Sequence, residues 1–334
     1  MRWVPVYLVA ATAAVSAAHQ TFTVEQRLAI LNRASIWESR DTGTLNVATG
    51  PNGRGGWQPE ALVACDYAGA PGTGRSPKFT CALSGHDHVK VKYGAENGEV
   101  YAEVAATRLL WLLGFYADRM YPVRVECHGC PKSLNSQSTG DKNLVEFPIA
   151  AIERPMKGTD VELPHRRGWT WGELDIAKGA THAQRDALKL VSVMIQHTDS
   201  KSEQQRLICP DDDCDHPIAM INDLGMTFGK ASLYNRGTVS SVNLTEWSKA
   251  SVWEGKTGCI GNLSKSYTGT LDRPHISEEG RAFLADRLMK ISDDQLHDLF
   301  AVARFDRRRG EPIDAWIAAF KEKRDAIVSR RCDN

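Results

Sequence analysis

The spacing of hydrophobic and polar residues divides the chain into a strand-rich and a helix-rich part. His88-Val-Lys-Val-Lys-Tyr93 alternates with the period of two that is typical of a strand. From Glu99 to Leu113 the apolar residues recur at helical spacing, and Gly114 provides a helix stop. Segments 122–127 and 144–153 again resemble strands. These patterns predict several strands and one helix before residue 155.

The second part of the chain has helical patterns. Residues 173–196 are predicted as a helix, with Thr181 as a plausible N-cap. The region from Ser277 to Ser329 is predicted to contain at least three helices, with starts at Ser277 and Ser292. The predicted fold class is therefore α+β, with strands first and helices second. We find no internal repeat.

The first 18 residues have the pattern of a secretory signal peptide. One positive charge at Arg2 precedes an uncharged run, which ends in the small residues Val15-Ser-Ala-Ala18. The apolar run is shorter than the roughly 20 residues that a membrane span needs, although an uncleaved anchor is the alternative. We therefore predict an exported protein, secreted or periplasmic, with no membrane span after signal cleavage.

Eight cysteines follow the signal peptide, and an even number in an exported chain favours disulfides. Proximity in sequence predicts three pairs, and elimination gives the fourth: Cys65–Cys81, Cys127–Cys130, Cys209–Cys214 and Cys259–Cys332. The spacing of Cys127 and Cys130 also suits zinc, but no second pair with this spacing exists. The acidic run 211–215 is predicted as a disulfide-closed hairpin tip, because a calcium loop would need spaced ligands and a glycine.

The overall charge limits the classes of partner. The chain has 41 basic and 41 acidic residues, so its formal net charge is zero. This balance provides no electrostatic reason to expect a nucleic acid or an anionic membrane as partner.

Two polar segments contain the candidate chemistry. His197-Thr-Asp199-Ser-Lys201 leads to Gln204, and Asn222-Asp223-Leu-Gly225 follows the apolar run 218–221. With Lys92 on a predicted strand and Glu103 on the next helix, these segments resemble the ordered motifs of the protein-kinase-like fold. In detail the chain resembles the atypical branches, such as secreted and HipA-like kinases. The resemblance covers roughly residues 60 to 330.

The resemblance implies a role for each matched residue. Asp199 would be the catalytic carboxylate, Lys201 its phosphate-facing neighbour, and Asp223 a metal ligand. Lys92 would contact the nucleotide phosphates and pair with Glu103. The implied cofactors are ATP and Mg²⁺ or Mn²⁺.

Further cofactor contacts are predicted near these residues. Lys90 shares the strand face of Lys92 and is a second candidate for the phosphate contact. A turn containing Gly72 and Gly74 would cover the phosphates with its backbone N–H groups. Gln204 stands where the family usually has an asparagine as second metal ligand.

The predicted architecture is a bilobal kinase-like domain, with residues 19–155 as the strand-rich lobe and 156–334 as the helical lobe. The expected function is ATP-dependent phosphotransfer to an unknown protein, glycan or small-molecule acceptor. The chain departs from the family at Gln204, at Leu224 in place of phenylalanine, and in its incomplete glycine-rich loop. These departures leave two alternatives: a catalytically inactive kinase-like binding module, and a nucleotidyl transferase on the same fold.

Overall fold

The computed structural model describes residues 22–53, 55–70, 74, 76–131, 134, 142–229 and 241–332. The predicted signal peptide and Gly72 lie outside the described residues. The strands are β1 (Leu62–Tyr67), β2 (Lys78–Ser84), β3 (Asp87–Tyr93), β4 (Arg119–Pro131), β5 (Lys142–Arg154), β6 (Thr159–Asp160), β7 (Gln205–Cys209) and β8 (Ile218–Ile221). The helices are α1 (Val24–Leu31), α2 (Glu99–Leu113), α3 (Trp171–Ile176), α4 (His182–Met194), α5 (Leu244–Lys249), α6 (Glu278–Leu288), α7 (Asp293–Val302), α8 (Phe305–Arg309) and α9 (Ile313–Ser329).

The first five strands form a closed barrel in the order β1-β2-β3-β5-β4. Parallel pairing of β1 with β4 closes it, and its other strand pairs are antiparallel. Alternate residues of the strands point inward, including Phe79, Val91 and Ile152, and form a separate hydrophobic cluster. The disulfide Cys65–Cys81 joins β1 to β2 within this cluster.

Helix α2 connects the barrel to the rest of the protein. It ends at Gly114, whose φ of +88° is a left-handed conformation that favours glycine. Thirteen of its 15 residues are buried, because the helix packs against β4 and β5 on one side and α6 and α7 on the other. A helix enclosed on all sides places its few charged residues in the interior, and Glu103 is one of them.

The remaining helices form a second hydrophobic core together with most of the residues of α2. The N-terminal segment belongs to this core, since Arg27 of α1 pairs with Glu173 and the amide of Ser35 donates to the carbonyl of Pro217. The disulfide Cys259–Cys332 joins the end of the chain to the loop before α6.

The single helix predicted over residues 173–196 is wrong, because the structure has two helices there, α3 and α4. Thr181 does cap α4, with a capping box to Gln184. Gly179 lies in the break, and a Cβ on it would overlap the backbone of Ala34. The close approach of these two segments therefore excludes a continuous helix with a side chain at this position.

Other sequence predictions agree with the structure. The predicted helix 99–113 has these bounds, and Ser277 and Ser292 cap α6 and α7. All four predicted disulfides are present, so the zinc alternative at Cys127 and Cys130 is wrong. The acidic run 211–215 lies at the tip of the β7–β8 hairpin. Within the described ranges, no helix combines the length and hydropathy that a bilayer span requires.

Candidate functional site

Three parts of the fold bring the predicted residues to one place. Lys92 lies near the end of β3, and Glu103 lies on α2, which follows that strand. The antiparallel hairpin of β7 and β8 aligns Gln205 with Ile221, so the segments before β7 and after β8 lie side by side. The amide of Asn222 donates to the carbonyl of Gln204 at 2.9 Å and joins these two segments.

Lys92 is the centre of a buried charge cluster. Its Nζ lies 2.5 Å from Oε1 of Glu103, 2.8 Å from Oε2 of Glu99 and 3.7 Å from Oδ1 of Asp223. The side chains of Lys92 and Glu103 are each 1% exposed, whereas that of Asp223 is 24% exposed. Three carboxylates thus surround one ammonium, and Asp223 is the member most open to solvent.

The cluster shifts the pKa values of Lys92, Asp223 and Glu103. Burial alone would lower the pKa of Lys92, but the carboxylates of Asp223, Glu103 and Glu99 raise it well above its ordinary value. Burial would raise the pKa of Asp223, yet Lys92 holds it well below its ordinary value. Burial raises the pKa of Glu103, and the charge of Asp223 adds to this effect. Asp223 therefore remains ionised, and Glu103 is the carboxylate that accepts a proton most readily.

A second polar group surrounds Asp199. The Nε2 of Gln204 donates to Oδ2 of Asp199 at 3.0 Å, and the Nζ of Lys201 lies 3.3 Å from the same oxygen. The hydroxyl of Ser266 donates to Oδ1 of Asp199 at 3.5 Å. Since the amide nitrogen of Gln204 faces Asp199, its side-chain oxygen is left to face another group.

His197 is buried beside both groups. Burial lowers its pKa to about 4, although the charges of Asp199 and Asp223 act in the opposite direction. Neither ring nitrogen has a hydrogen-bond partner among the described residues. The imidazole is therefore neutral near pH 7.

Lys90, the alternative phosphate contact, has a different partner. Its Nζ lies 2.6 Å from Oε2 of Glu153 on the neighbouring strand β5. Its side chain is 33% exposed, and it does not contact Glu103 directly in the described ion pairs. The structure thus joins Lys92, rather than Lys90, to Glu103.

Two site residues were missed by the sequence analysis. Glu99 lies one turn before Glu103 on the same helix face, and this i, i+4 spacing was the available signal. Lys78 aligns with Lys92 across β2 and β3, and burial together with the charge of Lys92 lowers its pKa. Gly74 lies over Lys78, since a Cβ on it would overlap the Nζ of that lysine. Lys78 follows directly after the turn cluster that was predicted to cover phosphates.

The approach of Glu99 depends on Gly225. A Cβ on Gly225 would lie 2.7 Å from Cγ of Glu99, which is closer than real contacts allow. The glycine of the Asp223-Leu-Gly225 segment therefore allows α2 and this loop to come together.

The donor set fits a divalent cation. Carboxylate oxygens of Glu99, Glu103 and Asp223 all lie within 4.8 Å of one another. In addition, Oε2 of Glu103 and Oδ1 of Asn222 are buried without hydrogen-bond partners among the described residues. Carboxylate and amide oxygens are the ligands that Mg²⁺ and Mn²⁺ prefer. Asp223, which is the most exposed, is accessible to an ion that arrives with a ligand.

No protein-family model matches the chain, and no curated protein matches its sequence. Among solved structures, the chain is similar to the proinflammatory kinase CtkA of Helicobacter pylori, with 12% identity, a TM-score of 0.40, and coverage of 79% of this chain and 99% of that one. It is also similar to the Rio2 kinase of Chaetomium thermophilum in an ADP/Mg²⁺–phosphoaspartate complex, with 11% identity, a TM-score of 0.29 and 73% coverage of both chains. Because both TM-scores are below 0.5, we base the interpretation of the site on the chain's own residues.

The arrangement of those residues resembles that of the ordered motifs of the protein-kinase-like fold. A lysine on the third strand pairs with a glutamate on the next helix, and a His-x-Asp-x-Lys loop precedes an Asp-Leu-Gly segment. Sequence order and spatial contact agree for Lys92, Glu103 and Asp223. This arrangement is suited to holding a polyphosphate and a cation against a carboxylate.

Proposed function

We propose that this protein is an exported ATP-dependent phosphotransferase that uses Mg²⁺ or Mn²⁺. The observation that carries the proposal is the buried contact of Lys92 with Glu103, with Asp223 adjacent to both. A buried lysine that retains its charge is costly unless it has a task or a partner. Because carboxylates outnumber the ammonium in this cluster, a polyanionic ligand would bind at its exposed edge together with a metal cation.

Each residue has a proposed role. Lys92 binds the nucleotide phosphates and is oriented by Glu103, and Lys78 contributes a second positive charge from β2. Asp223 and Gln204 would hold the metal, which would supply positive charge against the charge that develops on the phosphates. The hydrogen bond from Gln204 to Asp199 supports this assignment, because it directs the amide oxygen away from Asp199.

In the proposed reaction, the acceptor hydroxyl attacks the γ-phosphorus of ATP. The bond from that phosphorus to the β–γ bridging oxygen breaks, ADP leaves, and Asp199 accepts the proton of the hydroxyl. Lys201 lies 3.3 Å from Asp199 and supplies positive charge beside the transferred group. We further propose that residues 19–155 and 156–334 are two lobes with this site between them, and that the protein works in a secreted or periplasmic location.

The test measures binding and turnover in the same variants. We expect ATP with Mg²⁺ or Mn²⁺ to raise the melting temperature of the mature protein, because a ligand that binds only the folded state stabilises it. Asp223→Asn should lose most of this shift while its melting temperature without ligand stays close to that of the wild type. Asp212→Asn, an exposed acid at the hairpin tip, is the matched control and should retain the full shift.

The product then distinguishes the alternatives. Mass spectrometry that finds ADP and a phosphorylated acceptor supports phosphotransfer, whereas pyrophosphate and a nucleotidylated product indicate nucleotidyl transfer. Binding without turnover would indicate an inactive module. If millimolar ATP with either metal gives no thermal shift, the proposal of a nucleotide site is wrong.

A further inference from the structure

A second cavity lies outside the cluster around Lys92. It occupies about 490 Å³ between the C-terminal half of α2, the start of β4, the segment after β5 and the β7–β8 hairpin. In the barrel, β5 lies between β3, which carries Lys92, and β4, whose first residue Arg119 lines the cavity. None of the residues proposed above for catalysis or for nucleotide and metal binding lines it.

The walls of this cavity are largely apolar. Aromatic rings come from Trp111 and Phe115, and aliphatic surface comes from Met156 and Ile218. Cavities of a few hundred Å³ with such walls and a few polar groups are typical of sites for small organic ligands. Flat aromatic walls favour a ligand with an aromatic body, because offset and edge contacts between rings are favourable.

One buried polar group lies in the wall. Asp118 is 3% exposed, and its Oδ1 accepts a hydrogen bond from the amide of Met156 at 2.7 Å. Burial raises the pKa of Asp118 to about 8, with a further contribution from Glu153, although Arg206 opposes the shift. A carboxyl group that retains its proton near pH 7 can donate a hydrogen bond to a ligand oxygen.

Basic side chains outnumber acidic ones around the cavity. Arg40, Arg119 and Lys157 line it, against the single lining carboxyl group of Asp118. Arg40 is paired with Glu38, so the excess of positive charge rests on Arg119 and Lys157. The guanidinium of Arg40 also lies 5.9 Å from the ring centroid of Trp111, so positive charge and an aromatic surface are adjacent. Lys157 is exposed and lies on the segment after β5. This balance favours an anionic ligand over a cationic one.

We propose that this cavity is a second binding site, for a small aromatic carboxylate. The ring packs against Trp111 and Phe115, and the carboxylate faces the basic residues and the Asp118 hydroxyl. This proposal does not depend on the proposed phosphotransferase activity. Its occupant touches α2 at Thr107, whose hydroxyl donates to the carbonyl of Glu103 at 2.7 Å.

The experiment uses benzoate, 2-naphthoate and indole-3-carboxylate as probes, with their primary amides as neutral counterparts. Isothermal titration calorimetry on the mature protein should detect binding of at least one carboxylate. The corresponding amide should bind more weakly, by a factor of at least about five. Lys157→Glu should weaken carboxylate binding by about fivefold, which corresponds to the charge of one surface group. Lys178→Glu, an exposed lysine outside the cavity, is the control and should not change it.

A second variant and a competition locate the site. Ile218→Trp fills the cavity and should abolish binding of the probe. ATP with Mg²⁺ should not displace the probe competitively, because no residue assigned to the nucleotide site lines the cavity. The proposal is overturned if no carboxylate binds with a Kd below about 1 mM, if both variants bind as well as the wild type, or if ATP competes with the probe.

Discussion

Lys92→Met tests the buried charge cluster directly. The substitution removes the ammonium and keeps a side chain of similar length, so three carboxylates lose their common partner. The formal charge of the cluster falls from −2 to −3 when all its carboxylates are ionised. Breaking a buried ion pair by removing one partner costs about 3–5 kcal/mol. Because Glu103 is also fully buried, we expect the loss of unfolding free energy to lie in this range.

The assay is urea unfolding at neutral pH, followed by circular dichroism. Lys290→Met is the matched control, since Lys290 also has an ion pair, at 2.7 Å to Asp286, but both partners are about half exposed. The free energy of unfolding of Lys290→Met should be lower than that of the wild type by no more than about 0.5 kcal/mol. As the pH falls, the loss in Lys92→Met should shrink, because the carboxylates of the cluster take up protons and their mutual repulsion decreases.

A metal titration makes the prediction sharper. With the ammonium gone, Glu99, Glu103 and Asp223 form an acidic group whose oxygens lie within 4.8 Å of one another. Mn²⁺ should therefore stabilise Lys92→Met more than it stabilises the wild type in the absence of nucleotide. The reasoning about the buried cluster is wrong if Lys92→Met loses less than about 1 kcal/mol of unfolding free energy. It is also wrong if Mn²⁺ stabilises both proteins equally.

Three other outcomes are expected. Burial lowers the pKa of His197 from 6.5 to about 4, so stability present above pH 6.5 should be lost as the pH falls to 4. The free energy of unfolding should decrease by about 3 kcal/mol over this range. His197→Gln should lack this decrease when urea unfolding is measured at several pH values. Serine replacement of Cys259–Cys332, which spans 73 residues, should cost about 4 kcal/mol in chemical unfolding, against about 2 kcal/mol for Cys209–Cys214, which spans five. Amino-terminal sequencing of the exported protein should find a start just after the predicted cleavage region, and a start at Met1 would contradict the signal peptide.

Local signals in the sequence were sufficient to predict most of the helices and strands. Helix α2 was predicted with correct bounds, because a turn precedes it and Gly114 stops it within one contiguous segment. The sequence also contains signals for the two helix starts within residues 170–196, since Thr170 and Thr181 each begin a capping box. Helix α1 also begins with a capping box, at Thr23, but the sequence analysis did not predict this helix. In both errors, the single helix over residues 173–196 and the missed α1, the capping boxes were present but the prediction followed the pattern of apolar residues.

The site was predictable only where a motif is contiguous. Asp199 and Asp223 were predicted as site residues from their neighbours in sequence, whereas Lys78 joins the candidate site only through the register that aligns it with Lys92. The contact of Glu99 with Gly225 joins residues more than 120 positions apart. Pairings of this kind depend on how elements pack, which residue spacing along one segment does not encode.

The balance of charges in the site gives a physical reason for the proposed dependence on a metal. Lys92 is outnumbered by Glu99, Glu103 and Asp223, and Lys78 lies close enough for their charges to act on it. A triphosphate that approached this group alone would meet at least one unneutralised carboxylate, and repulsion between like charges would oppose binding. A divalent cation held by Asp223 would change the sign of that interaction. Nucleotide affinity should therefore depend on metal concentration even in a variant that has lost turnover, such as Asp199→Asn, which keeps all four residues of the cluster.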